Sequence, residues 1–155
     1  MTTTLPVTAM VLTRNSAETL DACLGSLDSV AEIIVNDGGS TDATADIATR
    51  HGAVLLTQRA EFLDAGGRLQ DYAGARQQVV EAATQPWILQ LDADEIATAE
   101  LMAELRQTTT AEAAHTAFML PARHIVGGIE IRSAANYPMS LSLIHISEPT
   151  RQKPI

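Results

Sequence analysis

Aromatic residues are scarce in this chain, with two Tyr, two Phe and one Trp among 155 residues. A surface that stacks successive bases needs a row of such rings, so a single-stranded nucleic acid ligand is not expected. Positive charge is scarce too, with 10 Lys and Arg against 19 Asp and Glu and a formal net charge of -9. That field repels phosphate backbones, and a phosphorylated ligand needs a metal ion or a local basic cluster to hold it. The single cysteine, Cys23, has no partner for a disulfide or a metal cage and reads as a small buried apolar residue in a reducing compartment. No apolar run approaches the length that spans a bilayer, and residues 1–6 lack the basic and then apolar order of a secretory signal. The expectation is a soluble, cytoplasmic chain without a transmembrane segment.

What is abundant is aliphatic: 46% of the residues are hydrophobic, mostly Ala, Leu, Ile and Val. At this length they suffice for one core and not two. Residues 7–12 are an apolar run that predicts a strand, followed by a helical pattern with Leu20, Cys23, Leu24 and Leu27 on one face. The strand-like run recurs at 32–36, a Gly and Ser-rich turn covers 37–42, and a second helix is expected over 43–51, ended by Gly52. A third strand follows at 53–57. Residues 59–71 have no period and read as a long loop, a kind of segment that is often functional. A helix at 72–83, a buried strand at 87–91, a helix at 98–107 with Thr98 as N-cap, and a strand at 117–120 complete the pattern. Residues 123–138 resist assignment. Strands alternating with helices predict an α/β fold with a mainly parallel sheet and helices on both faces.

In such a sheet, ligands bind beyond the carboxyl ends of the strands. The polar residues after each apolar run are therefore the candidates: Thr13-Arg14-Asn15, then Asp37-Gly38-Gly39-Ser40-Thr41-Asp42, then Asp92-Ala93-Asp94-Glu95. Asp92 and Asp94, one residue apart in extended backbone, point the same way and offer hard oxygen ligands to one divalent cation. Carboxylates with open positions suit Mg²⁺ or Mn²⁺ shared with substrate phosphates. The competing reading is a solvated acidic turn that caps the next helix. For Asp37, a contact to a base or ribose stands beside an equally good alternative, a well-made turn into a helix capped by Ser40 and Asp42. Gly38 and Gly39 let backbone approach a ligand closely. Arg76 is one of few cations near the expected cleft; by itself it reads as a solvated helix-face charge.

Taken together, Val11-Leu12-Thr13-Arg14-Asn15, Ile33-Ile34-Val35-Asn36-Asp37-Gly38-Gly39-Ser40-Thr41-Asp42 and Leu89-Gln90-Leu91-Asp92-Ala93-Asp94-Glu95 resemble the nucleotide-sugar-binding half of family 2 glycosyltransferases, in order and in spacing. The Asp-Ala-Asp-Glu form is similar to the branch of lipopolysaccharide core glucosyltransferases. The resemblance covers the chain to about Leu105. It implies a Rossmann-like GT-A fold with its C-terminal part incomplete, an inverting mechanism, and a nucleoside-diphosphate sugar donor, with a UDP-sugar favoured. It also implies a saccharide or lipid-linked acceptor, a role in cell-envelope polysaccharide synthesis, and peripheral attachment at the inner face of the membrane in the full-length protein. By position, Thr13, Arg14 and Asp37 fall where the family contacts the nucleoside, with Asn15, Gly38, Gly39 and Ser40 beside them. Arg76 falls where a helix arginine approaches the base or diphosphate, Asp92 and Ala93 near the ribose, and Asp94, with Asp92, at the metal. Gln77 stands where relatives often have Asn, and Asn36 where many have an acid or an apolar residue.

The resemblance implies a catalytic base and acceptor surface supplied downstream of the point where this chain turns into adaptor-like sequence, and no residue here is assigned the role of base. Residues 141–151 resemble translated sequencing-adaptor sequence, so the expected donor-binding domain is 1–139 and residues 140–155 are expected to be a non-native or disordered tail. Three other enzyme classes fit less well. A dinucleotide-dependent oxidoreductase needs a Gly-rich first turn, which Thr13-Arg14-Asn15-Ser16 lacks. A sugar nucleotidylyltransferase, the best enzyme alternative, wants a glycine-rich basic first loop for a triphosphate. A phosphatase with paired aspartates places them after an early strand. A noncatalytic nucleotide-binding module or an inert fragment is the alternative from outside enzymology.

Overall fold

The computed structural model describes residues 4–110, 116–123, 125–126, 128–130 and 139–146. Its strands are β1 (Leu5–Thr13), β2 (Val30–Asp37), β3 (Val54–Thr57), β4 (Trp87–Asp92), β5 (Ala117–Ala122), β6 (Ile125–Val126), β7 (Ile129–Glu130) and β8 (Met139–His145). Four α-helices accompany them: α1 (Leu20–Gly25), α2 (Thr44–Arg50), α3 (Tyr72–Ala82) and α4 (Ala99–Thr110). Six strands form one sheet in the order β3-β2-β1-β4-β8-β5. Strands β1 to β4 run parallel, while β8 is antiparallel to both β4 and β5, so only β8 runs against the others.

Strand β1 is central and buried on both faces, as a continuous apolar run requires. Its residues Leu5, Val7, Ala9 and Val11 share a core with Leu20, Cys23, Leu24 and Leu27 of the α1 region, Ile47 and Ala48 of α2, and Met102 and Leu105 around α4. On the opposite face Met10, Ile34 and Ile88 meet Val79 of α3. The alternation within each strand thus divides one sheet between two helix layers. Gly52 ends α2 at φ +67°, the left-handed conformation that glycine adopts without strain. The sequence pattern locates β1 to β5 and α1 to α4 to within a few residues. The unassigned stretch contains a two-residue hairpin pair, β6 with β7, turned at Gly128. No helix among the described residues is long and apolar enough to cross a membrane.

The C-terminal boundary needs correction. Residues 140–155 were expected to stand apart from the core, yet Met139–His145 forms a strand inserted between β4 and β5, with Trp87 opposite His145 and Phe118 opposite Leu143. Leu143 is fully buried, and the His145 ring meets the Trp87 ring edge-on at 4.7 Å. The physical reason lies in the alternation Leu141-Ser142-Leu143-Ile144-His145-Ile146, which has strand period. Beside it, β4 offers an unpaired edge whose N–H and C=O groups need partners. Residues 147–155 lie outside the described residues.

Candidate functional site

The pairing registers bring the expected segments to one rim. Thr13 lies opposite Asp37, Asp37 opposite Thr57, and Leu12 opposite Asp92, so all four parallel strands end together. Beyond their ends is a cleft of about 810 Å³. Thr13, Arg14, Asn15, Asp92, Ala93 and Asp94 line it. Asp37, Gly38, Gly39, Ser40 and Arg76 are not among its lining residues.

Asp37 turns inward on its own loop. Its Oδ2 accepts the backbone N–H of Gly39 at 3.2 Å and of Ser40 at 2.9 Å, and its Oδ1 accepts the Ser40 hydroxyl. Gly39, at φ +82°, closes this turn in a conformation side chains avoid. The capping of α2 is shared differently from expectation. The Asp42 carboxylate accepts the N–H of Thr44 at 3.0 Å, whereas Ser40 Oγ accepts from Asn15 N at 2.7 Å and so does not cap the helix. Hydrogen bonds from the Thr44 hydroxyl and backbone hold the Asp42 carboxyl below its ordinary range.

The two loops after β1 and β2 are braced together. Thr41 N donates to Asn15 Oδ1 at 2.8 Å, Ser16 N to Thr44 Oγ1 at 2.8 Å, and Ala17 N to Asp42 Oδ2 at 3.1 Å. Asn15 has φ +50°, a left-handed geometry that Asn tolerates better than most residues. Its amide oxygen is thus engaged by the neighbouring loop. The Arg14 guanidinium donates to the carbonyl of Gly67, which ties the cleft to the loop over residues 59–71. That loop is ordered by a short 3-10 turn, Ala60–Phe62, and a bridge between Leu63 and Leu69. Arg76 lies with its guanidinium carbon 5.9 Å from the centre of the Tyr72 ring, and its Nε is buried without a partner among the described residues. The Thr13 hydroxyl is likewise buried and unpartnered.

Gln58 escaped the sequence reading although the rule that found the other candidates applies to it. It is the polar residue directly after β3, as Asp92-Ala93-Asp94 are at the end of β4. Its side chain is buried, lines the cleft, and donates through Nε2 to the carbonyl of Asn36 at 3.0 Å. A Cβ at position 38 would lie 3.0 Å from Gln58 Oε1 and 3.4 Å from Arg14 Cβ. A side chain at position 38 would therefore crowd the Gln58 amide and Arg14. Asn36, wholly buried, donates through Nδ2 to Ala75 O at 3.0 Å and anchors α3 beneath the site.

The acidic turn after β4 divides its labour. Glu95 Oε2 accepts the N–H of Asp92 at 2.7 Å and Glu95 N donates back to Asp92 O at 3.0 Å, which closes the turn. Thr98 Oγ1 accepts from Leu101 N at 3.2 Å and caps α4. Ala93 is buried while Asp92 and Asp94 on either side are exposed. Among the described residues neither of these two carboxylates takes part in a side-chain hydrogen bond or ion pair. The helix-capping alternative therefore falls to Glu95 and Thr98, and Asp92 and Asp94 are left facing the cleft. Beneath them Cys23 Sγ approaches Asp92 O at 3.6 Å; burial, then the charges of Glu95, Asp94 and Asp92, push its thiol up to about 12.

Residues 8–152 match the model of Glycosyl transferase family 2. The chain belongs to that family. A lipopolysaccharide core biosynthesis glycosyltransferase, LpsC of Rhizobium meliloti, is 36% identical over 98 residues, 59% of this chain and 32% of that protein. A TPR repeat-containing protein of Synechococcus elongatus is 45% identical over 101 residues, 64% of this chain and 23% of its own length. The chain thus spans a third or less of these curated relatives. Among solved structures, glucosyl-3-phosphoglycerate synthase of Mycobacterium tuberculosis, in complex with Mn²⁺, UDP and glucosyl-3-phosphoglycerate, shares the fold at TM-score 0.57 and 21% identity, over 80% of this chain and 45% of that one. S. aureus TarS does so at TM-score 0.52 and 18% identity, over 66% of this chain and 19% of the other.

For a family 2 domain, the chemistry of the acidic turn can be tested against a divalent cation. Its two exposed carboxylates are hard oxygen donors at the edge of the cleft. Among the described residues no group of three or more His, Cys, Asp or Glu is gathered to hold an ion. An ion here would take two protein oxygens and complete its shell with water or phosphate, which is how Mg²⁺ and Mn²⁺ are usually held. The donor set fits such an ion and does not fit a closed structural zinc site.

Proposed function

We propose that this chain is the donor-binding domain of an inverting glycosyltransferase that takes a nucleoside-diphosphate sugar, with UDP-sugars favoured. The observation that carries the reading is the pair of exposed carboxylates, Asp92 and Asp94, at the edge of a cleft whose other walls are the ends of β1 and β3. Mg²⁺ or Mn²⁺ held there would neutralise charge that develops on the departing diphosphate. Arg14, Asn15 and Thr13 line the nucleoside end. The turn built by Asp37, Gly38, Gly39 and Ser40 supports that end from behind, and Arg76 is the nearby cation of α3. The mycobacterial synthase that shares this fold holds Mn²⁺ and UDP, in keeping with such a site.

In the whole enzyme an acceptor hydroxyl attacks the anomeric carbon from the face opposite the leaving diphosphate and gives its proton to a carboxylate base. The acceptor in this reading is a saccharide or a lipid-linked saccharide of the cell envelope, and the enzyme works at the inner face of the membrane. No residue of this chain is assigned the role of base, so the 155-residue chain binds donor without transferring sugar. Titration of UDP with and without Mn²⁺ tests the reading. Metal-dependent binding that Asp94→Ala abolishes supports it, and absence of binding by the wild type identifies an inert fragment. Transfer of sugar by the purified chain would refute the division of labour. Reading the source DNA downstream of the Met139 codon tests whether residues 140–155 are native.

A further inference from the structure

The acidic turn between β4 and α4 is held at both of its ends by the last turn of α1. At the first end the Cys23 thiol donates to the carbonyl of Asp92 at 3.6 Å. At the other the Ser26 hydroxyl accepts the N–H of Ala97 at 3.0 Å. Ala97 precedes the Thr98 cap, so its N–H has no place in the α4 ladder, and Ser26 supplies the acceptor. The two holding points are themselves joined, because the same hydroxyl donates to Cys23 O at 2.6 Å. A carbonyl only accepts, so that bond fixes the hydroxyl proton and leaves a lone pair for Ala97. Between the two points Ala93 and Ala97 are buried in the core that contains Cys23 and Leu24, whereas Asp92, Asp94 and Ile96 are exposed. The turn is thus fastened from below and bears its two carboxylates on the open side.

We propose that Ser26 is a positioning residue for the divalent cation: by holding Ala97, while Cys23 holds Asp92, it keeps the turn in the shape that presents Asp92 and Asp94 to one ion. The inference rests on the donor-site reading above and deepens it. An ion that takes only two protein carboxylates depends on their being in place beforehand, since ordering a loose turn on binding costs conformational entropy and weakens the affinity. Ser26 has no contact with either carboxylate. It acts through the backbone of the turn, as an outer partner that orients metal ligands.

The test titrates UDP into the whole chain at a series of Mn²⁺ concentrations, by calorimetry, for wild type, Ser26→Ala and Ser26→Thr. The readout is the Mn²⁺ concentration at which UDP affinity is half-maximal. Ser26→Ala is expected to need about tenfold more Mn²⁺, the scale on which outer partners of metal ligands act, and Ser26→Thr, which keeps the hydroxyl, to stay near the wild type. A purely structural role would lower the amount of UDP bound at saturating Mn²⁺ and leave that midpoint in place, which overturns the proposal. An equal shift in both variants overturns it as well, because the hydroxyl is then not what matters. Amide exchange of the metal-free wild type gives a check that needs no variant. The Ala97 amide is expected to be protected before any ion binds, and exchange at the rate of an open amide overturns the proposal even if neither variant folds. In each of these cases the wild type still binds UDP with Mn²⁺ and the donor site stands. Failure of the wild type to bind UDP at any Mn²⁺ concentration removes the donor-site reading, and this inference with it.

Discussion

Cys23 has no chemistry of its own in the site, yet its position makes it a reporter on the acidic turn above it. Burial, followed by Glu95, Asp94 and Asp92, raises its thiol from 9.0 to about 12. The folded protein keeps this proton where the unfolded chain loses it, so the stabilising contribution is complete below pH 9 and declines as pH rises from about 9 to 12. The expected outcome is a steeper alkaline loss of stability in the wild type than in Cys23→Ala, measured by urea unfolding between pH 8 and 11; parallel profiles would show that the thiol does not titrate in this window. Gly74 poses a different residue-scale question. A Cβ there would lie 2.5 Å from both Asp71 Oδ2 and Phe62 Cε1. Helix propensity favours Ala over Gly by about 1 kcal/mol, but overpacking costs about 1–3 kcal/mol. At that distance the steric cost wins, because Phe62 is itself buried. Gly74→Ala should lower the urea midpoint, and a raised midpoint would show that the 59–71 loop yields freely.

At the scale of elements, the brace between the β1–α1 and β2–α2 loops governs the shape of the cleft. Asp42 joins it by accepting from Ala17 N across the gap, and the Thr44 N–H and hydroxyl hold the same carboxylate in place from its own loop. Its lowered pKa means that the Asp42 share of the brace is fully present above the ordinary carboxylate range and is lost as pH falls through the folded value, while the neutral bonds of Asn15, Ser40 and Ser16 persist. Asp42→Ala should accelerate amide exchange at Ala17 and Thr44, while the urea midpoint hardly moves at this exposed site. Unchanged exchange would assign the brace to Asn15 and Ser40 alone. The residue types of this brace are legible in the sequence as a turn signal. Their partners are not, because each bond joins loops some 25 to 28 residues apart along the chain, and a local pattern carries no information on which loops become neighbours. The same holds for Gln58, whose significance comes from Gly38 and Asn36 on an adjacent strand.

For the whole molecule, the decisive element is β8. It supplies the partner for both β4 and β5, and Leu143 is fully enclosed. Leu143→Ala is expected to cost about 2–5 kcal/mol, read from urea unfolding followed by the single tryptophan, Trp87, which lies 3% exposed in the same core. A chain ended after Pro138 should show a red-shifted Trp87 emission and a broadened transition. If Leu143→Ala changes stability by less than about 0.5 kcal/mol, the range of ordinary surface substitutions, β8 is not part of the core. Strand period alone is readable in residues 141–146, but the apparent foreignness of that stretch hides it. Register with β4 and β5 depends on an exposed edge elsewhere in the chain.

Periodicity by itself determined the parallel α/β sheet and the rim at which its polar strand ends gather. Both follow from local alternation and from the handedness of strand-helix-strand crossovers. Only the tertiary structure decided which of the gathered groups remain available to a ligand. Asp37 is engaged by its own turn and Asn15 by the neighbouring loop, Asp92 and Asp94 are left open because Glu95 and Thr98 take the turn and the cap, and the Gln58 amide is fixed by the Asn36 carbonyl. Hydrogen-bond satisfaction is a property of neighbours in space, and a carboxylate or amide has the same spelling whether its lone pairs are used or free.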